Sequence, residues 1–177
     1  MTEIEVPTEH LHEQMHHEAE HNGGWISKVA LSSAILAALA AVAALLAGHH
    51  ANEAMIEQIQ ASDSWSYFQA KGIKSSVLTT KIELLQSLGR TVAPKELEKA
   101  EEYKKEQAEI SERAKEKEES SKHHLHTHEI LARGVTFFQI SIAVSAISVL
   151  SRRRKFWYLS LGFGAIGVLS FVQGLLF

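Results

Sequence analysis

Histidine and glutamate recur near the N-terminus at the spacing of a zinc-hydrolase motif. Two adjacent stretches match H-E-x-x-H, namely HEQMH at 12–16 and HEAEH at 17–21. In that motif two imidazoles one helical turn apart hold zinc, and the glutamate activates water. On one helix, however, His12 and His16 lie about 140° around the axis from His17 and His21, so the four cannot converge on one metal ion.

Composition accounts for these matches better than catalysis does. Residues 1–24 contain six glutamates, five histidines and no lysine or arginine, so repeated matches arise readily. The chain offers no folded domain to supply a third ligand, a cleft or a dry site. We therefore predict that the protein is not an enzyme and that this tail is solvated, with weak metal or proton binding as the alternative.

A second group of histidines brackets the segment between two apolar runs. The group consists of His49, His50, His123, His124, His126 and His128. A helical hairpin brings these imidazoles to its base, with Glu53 and Glu129 nearby, where they can bind a divalent metal or respond to pH near about 6.5. The alternative is that they are interfacial polar residues where helix leaves lipid. The sequence indicates no other cofactor.

A glycine pattern near the C-terminus imitates a nucleotide site. Residues 162–167, GFGAIG, spell the dinucleotide fingerprint G-x-G-x-x-G. The fingerprint requires a preceding strand and a water-exposed helix start, whereas this copy lies within an apolar run. We interpret Ser160, Gly164 and Gly167 as small residues that let another helix approach closely.

The elements that carry these residues are three long apolar runs. They span residues 25–48, 130–150 and 156–177. Each is about 20 residues or slightly more, which as a helix crosses a hydrocarbon core of roughly 30 Å. We predict an all-α membrane protein with three transmembrane helices.

A basic connector joins the last two runs and indicates the orientation. Residues 151–155, SRRRK, are too few for anything but a tight turn. Basic residues in short loops stay on the cytoplasmic side, so we expect Arg152, Arg153, Arg154 and Lys155 to contact lipid headgroups there. The tail then lies in the cytoplasm, and the 49–129 segment and the C-terminus lie on the other side of the membrane.

The 49–129 segment reads as a long antiparallel helical hairpin. From His50 to Leu88 there is no proline, and apolar residues recur at helical spacing. Residues 89–94, GRTVAP, predict the turn. The second helix has only a thin apolar seam, and its acid and base pairs, such as Glu118 and Lys122, are spaced i, i+4.

A thin seam with charged flanks is typical of a coiled-coil arm and leaves little apolar area to bury within one chain. We therefore expect homo-oligomerisation, with a monomeric, solvated hairpin as the alternative. Trp65, Tyr67 and Phe68 bear on this, because three aromatics in four residues cannot all face one partner. We expect at least one of them to contact a second chain or a third helix.

Polar residues in the second apolar run allow two interpretations. Ser141, Ser145 and Ser148 form a row beside Gln139. Such a row either makes hydrogen bonds between helices, which we favour, or lines a pore.

Three segments together resemble a known family. They are residues 5–13 (EVPTEHLHE), 45–74 (LLAGHHANEAMIEQIQASDSWSYFQAKGIK) and 128–148 (HEILARGVTFFQISIAVSAIS). These resemble an uncharacterised bacterial membrane-protein family known only as a domain of unknown function. The resemblance implies a bacterial inner membrane and three spans, and it brings no catalytic or binding residues.

These observations favour a non-catalytic, oligomeric inner-membrane protein whose periplasmic arm is a scaffold or interaction module for envelope proteins. The alternative is a transport or sensing protein that responds to metal or pH through the histidines near the membrane. A net charge of -3, with the basic cluster at the membrane surface, argues against nucleic acid as a partner.

Overall fold

Three α-helices make up the described part of the chain. The computed structural model describes residues 24–176, in which α1 spans Trp25–Ser87, α2 spans Pro94–Ser151 and α3 spans Arg154–Leu176. No strand occurs between residues 24 and 176. The two H-E-x-x-H stretches, with His12, His16, His17 and His21, lie outside these residues.

Local signals set the end of α1 and the start of α2. The helix α1 runs without a break through Gly48 and Gly72. At its end Gly89 adopts a left-handed conformation with φ of 66°, and Arg90 N donates to Leu85 O at 2.9 Å. This pattern closes the last turn of the helix and satisfies its free carbonyl groups. Pro94 then opens α2, where its missing N–H costs nothing.

The turn between α2 and α3 is shorter than the predicted 151–155. Only Arg152 and Arg153 lie outside the helices. Arg152 has a φ of 51°, and Arg153 N donates to Ser148 O at 3.2 Å, which caps α2. Ser151 therefore belongs to α2, and Arg154 and Lys155 belong to α3.

All three helices are long and apolar enough to cross a membrane. Large apolar side chains such as Leu45, Leu150 and Leu176 are exposed on them, as expected for a surface that faces lipid. The prediction of an all-α membrane protein with a helical hairpin between its first two spans is confirmed.

The chain divides into two compact units. The three-helix unit contains the described residues up to Ala51 and from Leu125 onward, and the hairpin unit contains Asn52–His124. Both α1 and α2 contribute to each unit, whereas α3 belongs to the three-helix unit alone.

Small residues let the helices of the three-helix unit approach closely. The fully buried ring of Phe138 on α2 packs with Leu36 of α1, and it lies against Gly167 of α3. A Cβ on Gly167 would lie 2.7 Å from Phe138 Cδ1, and one on Gly174 would lie 2.6 Å from Leu131 Cδ2. The G-x-G-x-x-G pattern therefore serves helix packing at Gly167.

The serine row joins α2 to α3. Ser141 Oγ donates to Ser160 O at 2.6 Å, and Ser145 Oγ lies 3.2 Å from Ser160 Oγ. Ser148 Oγ donates to Arg153 O at 3.1 Å, across the turn. These three α2 serines are fully buried. Hydrogen bonding between helices, and not the lining of a pore, accounts for them.

Candidate functional site

The hairpin unit is held together by small side chains along one face of each helix. On α1 the buried residues are Ala54, Ala61, Ser75 and Ile82, which we call the inner face. On α2 the buried residues of this unit are Ala100, Ile110, Ala114 and Ser121. At Gly72 a Cβ would lie 2.8 Å from Gln107 Nε2, so the glycine fits a close approach of the helices.

Lys71 is the centre of a polar cluster in this contact. Its ammonium group donates to Glu106 of α2 and lies 5.5 Å from the ring centre of Tyr67 and 5.1 Å from that of Tyr103. The hydrogen bond to Glu106 raises the pKa of Lys71 above its ordinary value of 10.5, with a smaller contribution from Tyr67 and an opposing effect of burial. The charged form of Lys71 therefore stabilises the folded hairpin.

We expect Lys71→Met to lower the unfolding temperature of the protein in a pH-dependent way. Because the pKa of Lys71 is raised in the folded state, its stabilising contribution is complete below pH 10.5 and is lost as the pH rises beyond that value. The difference from the wild type should thus be constant at neutral pH and shrink above pH 10.5. Thermal unfolding followed by circular dichroism measures it. Lys74→Met, which removes an exposed lysine from the same helix, provides the control.

Further polar contacts cross the same hairpin. Lys117 Nζ lies 3.1 Å from Glu57 Oε1, and Ser121 Oγ donates to Ala54 O at 2.8 Å. Lys81 pairs with Glu96 near the turn. These bonds fix which residues of α1 face which residues of α2.

The three aromatics predicted to contact a partner have different environments. Trp65 Nε1 donates to Glu118 Oε1 of α2 at 2.8 Å, and the half-buried Phe68 packs edge-on against Trp65 at 5.5 Å. Tyr67 remains 53% exposed. Trp65 and Phe68 thus have contacts within the hairpin, and the prediction that at least one of the three aromatics contacts a second chain or a third helix stays a prediction.

The helix α1 also carries large apolar residues that α2 leaves exposed. Between 47% and 66% of each of these side chains is exposed. They are Ile56, Ile59, Ile73, Val77 and Leu84, which we call the outer stripe. A helix with apolar residues on two opposite faces is typical of one that packs against two neighbours.

The helix α2 differs from α1 in this respect. Its exposed positions in the hairpin unit are mostly glutamate and lysine, for example Glu98, Glu102, Glu112 and Lys115. Charged side chains of this kind are usually exposed to solvent. Within the hairpin unit, large exposed apolar side chains are therefore concentrated on α1.

An open groove lies between the helices close to the turn. It has a volume of about 1310 Å³ including open solvent, and its floor includes Leu78 and Tyr103. Lys74, Lys95 and Lys99 line it, together with the paired Lys81 and Glu96. Ile73 and Val77 of the outer stripe form part of its wall. The groove is thus continuous with the outer stripe.

The histidines near the spans are placed as follows. His128 Nδ1 lies 2.8 Å from Ala47 O, which links α2 to α1 within the three-helix unit. The neighbouring rings of His49 and His50 are 5.6 Å apart, and those of His123 and His124 are 6.1 Å apart. Across residues 24–176 no three His, Asp or Glu side chains are grouped so that they could hold a metal ion. The metal interpretation of these residues, including His126, stays a prediction.

The basic turn meets the start of α1. The guanidinium of Arg154 lies 5.6 Å from the ring centre of Trp25, a cation–π contact. Arg152, Arg153 and Lys155 are exposed. The start of α1 and the turn between α2 and α3 therefore lie at the same end of the three-helix unit. The contact of these basic residues with lipid headgroups stays a prediction.

Sequence reasoning did not identify the outer stripe. Val77 and Ile82 both belong to the apolar residues that recur at helical spacing between His50 and Leu88, although Val77 is exposed and Ile82 is buried. The signal that separates them is a heptad spacing, which places the two residues on opposite sides of α1.

Comparison with curated proteins and with solved structures gives no match. The model of one family, a domain of unknown function (DUF4337), matches residues 25–177. That range contains all three helices and two of the three segments on which the resemblance was based. The expected kinship with an uncharacterised family is confirmed, and the chain belongs to the DUF4337 family.

Proposed function

We propose that the protein is a non-catalytic, oligomeric protein of the bacterial inner membrane. In this proposal the hairpin unit is a scaffold or interaction module for other copies of the chain and for envelope proteins. The observation that carries the proposal is the outer stripe, whose large apolar side chains are left exposed by residues 24–176. Burying such surface in an assembly is favourable by about 25 cal/mol per Å².

The arrangement of charge supports an interaction role for the hairpin unit. Its ion pairs, such as those of Lys71 with Glu106 and of Lys117 with Glu57, lie between α1 and α2 and hold the hairpin together. The outer stripe contains no charged residue. The module thus combines a stable scaffold with one apolar surface that is available to partners.

The orientation is part of the proposal. The tail and the Arg152–Arg153 turn are cytoplasmic, and the hairpin unit and the C-terminus are periplasmic. This is supported by the retention of short basic loops in the cytoplasm, and by the contact of Arg154 with Trp25, which places the turn at the same end of the three-helix unit as the start of α1.

Crosslinking in native membranes tests the proposed assembly. The hairpin unit has exposed lysines such as Lys95, Lys99 and Lys115, which an amine-reactive reagent that cannot cross the membrane will modify. We expect bands at multiples of the monomer mass of 19.6 kDa, together with products that contain other envelope proteins. Membranes dissolved in dodecyl sulfate before crosslinking serve as the control. A monomer alone in intact membranes contradicts the proposal.

A further inference from the structure

We propose that copies of this chain associate through their outer stripes, with the α1 helices parallel and in register. This inference rests on the proposed oligomeric function and adds the identity of the partner at one surface. The outer stripe of one copy is occupied by the hairpin unit of a second copy. The contact is a coiled coil formed by the α1 helices alone.

A heptad pattern supports this geometry. If Ile56 is assigned to position a, the a positions are Ile56, Asp63, Ala70, Val77 and Leu84, and the d positions are Ile59, Ser66, Ile73, Thr80 and Ser87. All ten residues are exposed. Side chains at a and d form the seam of a coiled coil. The outer stripe is therefore the large-residue part of a continuous seam.

The opposite side of the same heptads independently supports the assignment. The f positions, which lie farthest from the seam, are Ala54, Ala61, Phe68, Ser75 and Ile82. Four of them form the inner face against α2, and Phe68 is half-buried beside Trp65. The contact of α1 with α2 thus uses the back of the helix and leaves the a and d positions available to another copy.

The membrane makes the contact parallel. Every copy crosses the bilayer in the same direction because its short basic loop fixes one orientation. Two copies in one membrane are then related by a rotation about the membrane normal, so the membrane-spanning parts of their α1 helices run in the same direction. Confinement to the membrane also raises the effective concentration of the copies.

The charges beside the seam are compatible with this pairing. The e positions include Lys74 and Lys81, and the g positions that would meet them in a parallel pair are Gln69 and Ser76. No like charges oppose each other there. The exposed acidic and basic residues of α2 lie outside the seam, on the surface that faces water.

Asp63 is the one charged residue of the seam, and it lies between two groups of apolar side chains, Ile56 with Ile59 and Ile73 with Val77. In a parallel, in-register pair its carboxylate faces that of its own copy, and like charges repel each other. This position therefore weakens the pair, which is held by the apolar groups on either side of it. The small neighbours Ser66 and Ala70 leave room around it.

Cysteine scanning tests the seam, and the chain is suited to it because it contains no cysteine. Single variants Ile59→Cys, Ile73→Cys and Val77→Cys in the full-length protein are oxidised in native membranes. Matched controls are Gln58→Cys on α1 and Glu98→Cys on α2, which are exposed and lie away from the seam. The readout is the fraction of disulfide-linked dimer on a non-reducing gel.

We expect strong dimer bands from the three seam variants, at least about five times those of the two controls, because cysteines must come within about 7 Å between Cα atoms to bond. Equal bands from seam and control positions, or bands from Glu98→Cys alone, overturn the inference. In that case amine crosslinking still shows whether the protein is oligomeric through another surface, so failure of the seam and failure of the proposed function are distinguishable.

Co-expression of two cysteine variants tests whether the paired α1 helices are parallel and in register. Ile59→Cys and Leu84→Cys are co-expressed with tags of different size. A parallel, in-register seam gives links only between identical positions, since the two sites are separated by about 37 Å along the helix. A mixed product that links residue 59 to residue 84 overturns the parallel arrangement.

Discussion

Replacing Val77 with glutamate is expected to separate the copies of the chain while leaving the hairpin folded. Val77 is 65% exposed in the single chain, so the new carboxylate remains in water there and does not disturb α2. At the seam it would lie against its own copy, where an uncompensated buried charge costs about 3–5 kcal/mol. Association should weaken by at least about 100-fold.

The mass of the purified protein in detergent, measured by light scattering, reports this change, and circular dichroism reports the helix content. Gln86→Glu introduces the same charge at an exposed position of α1 outside the seam and should leave the mass of the assembly unchanged. If Val77→Glu remains oligomeric with normal helix content, the seam does not hold the copies together. The same conclusion follows if Gln86→Glu dissociates them equally.

The second large effect is expected in the three-helix unit, at Gly167. A Cβ there would lie 2.7 Å and 2.8 Å from two ring atoms of Phe138, which is fully buried. Gly167→Leu therefore forces α3 away from α2 or moves the ring, and overpacking of this kind costs about 1–3 kcal/mol. We expect a lower temperature of helix unfolding in detergent.

Gly162→Leu is the matched control on the same helix. A Cβ at Gly162 has no atom within 4 Å, so its side chain can extend into lipid. This variant should unfold at a temperature close to that of the wild type. Equal destabilisation by both substitutions would mean that glycine matters in α3 for a reason other than its contact with Phe138.

The helices and their ends could be predicted from sequence because the signals are local. Long apolar runs indicated the spans, and Gly89 and Pro94 marked the turn of the hairpin through their backbone preferences. The turn between α2 and α3 was predicted at the right place but too long. Its true length depends on Arg152 adopting a left-handed conformation, which the residue type does not favour.

The contacts of the candidate site were harder to predict because they depend on which residues of α1 face which residues of α2. Glu118 illustrates this difficulty. Its spacing from Lys122 predicted a pair along one helix, whereas it accepts a hydrogen bond from Trp65, which is 53 residues away in the chain. Helical spacing alone cannot supply such a partner.

The two apolar faces of α1 were also hard to tell apart from sequence. Helical periodicity shows that α1 has apolar residues at Val77 and Ile82, but it does not say which of them faces α2. The small residues Ala54 and Ala61 determine this, because they let α2 approach closely on their side of α1. Once that side is occupied, the seam residues are left on the other side.

The two-residue turn between α2 and α3 has a consequence for the biogenesis of the protein. Because Arg152 and Arg153 alone separate the helices, and Ser148 bonds across the turn to Arg153, the last two spans can enter the bilayer together as one preformed pair. In the proposed orientation the basic residues stay on the side from which insertion begins, and this step translocates no charge. The many ionised side chains of Asn52–His124 would instead be carried across the membrane, which would make export of that segment the demanding step of assembly.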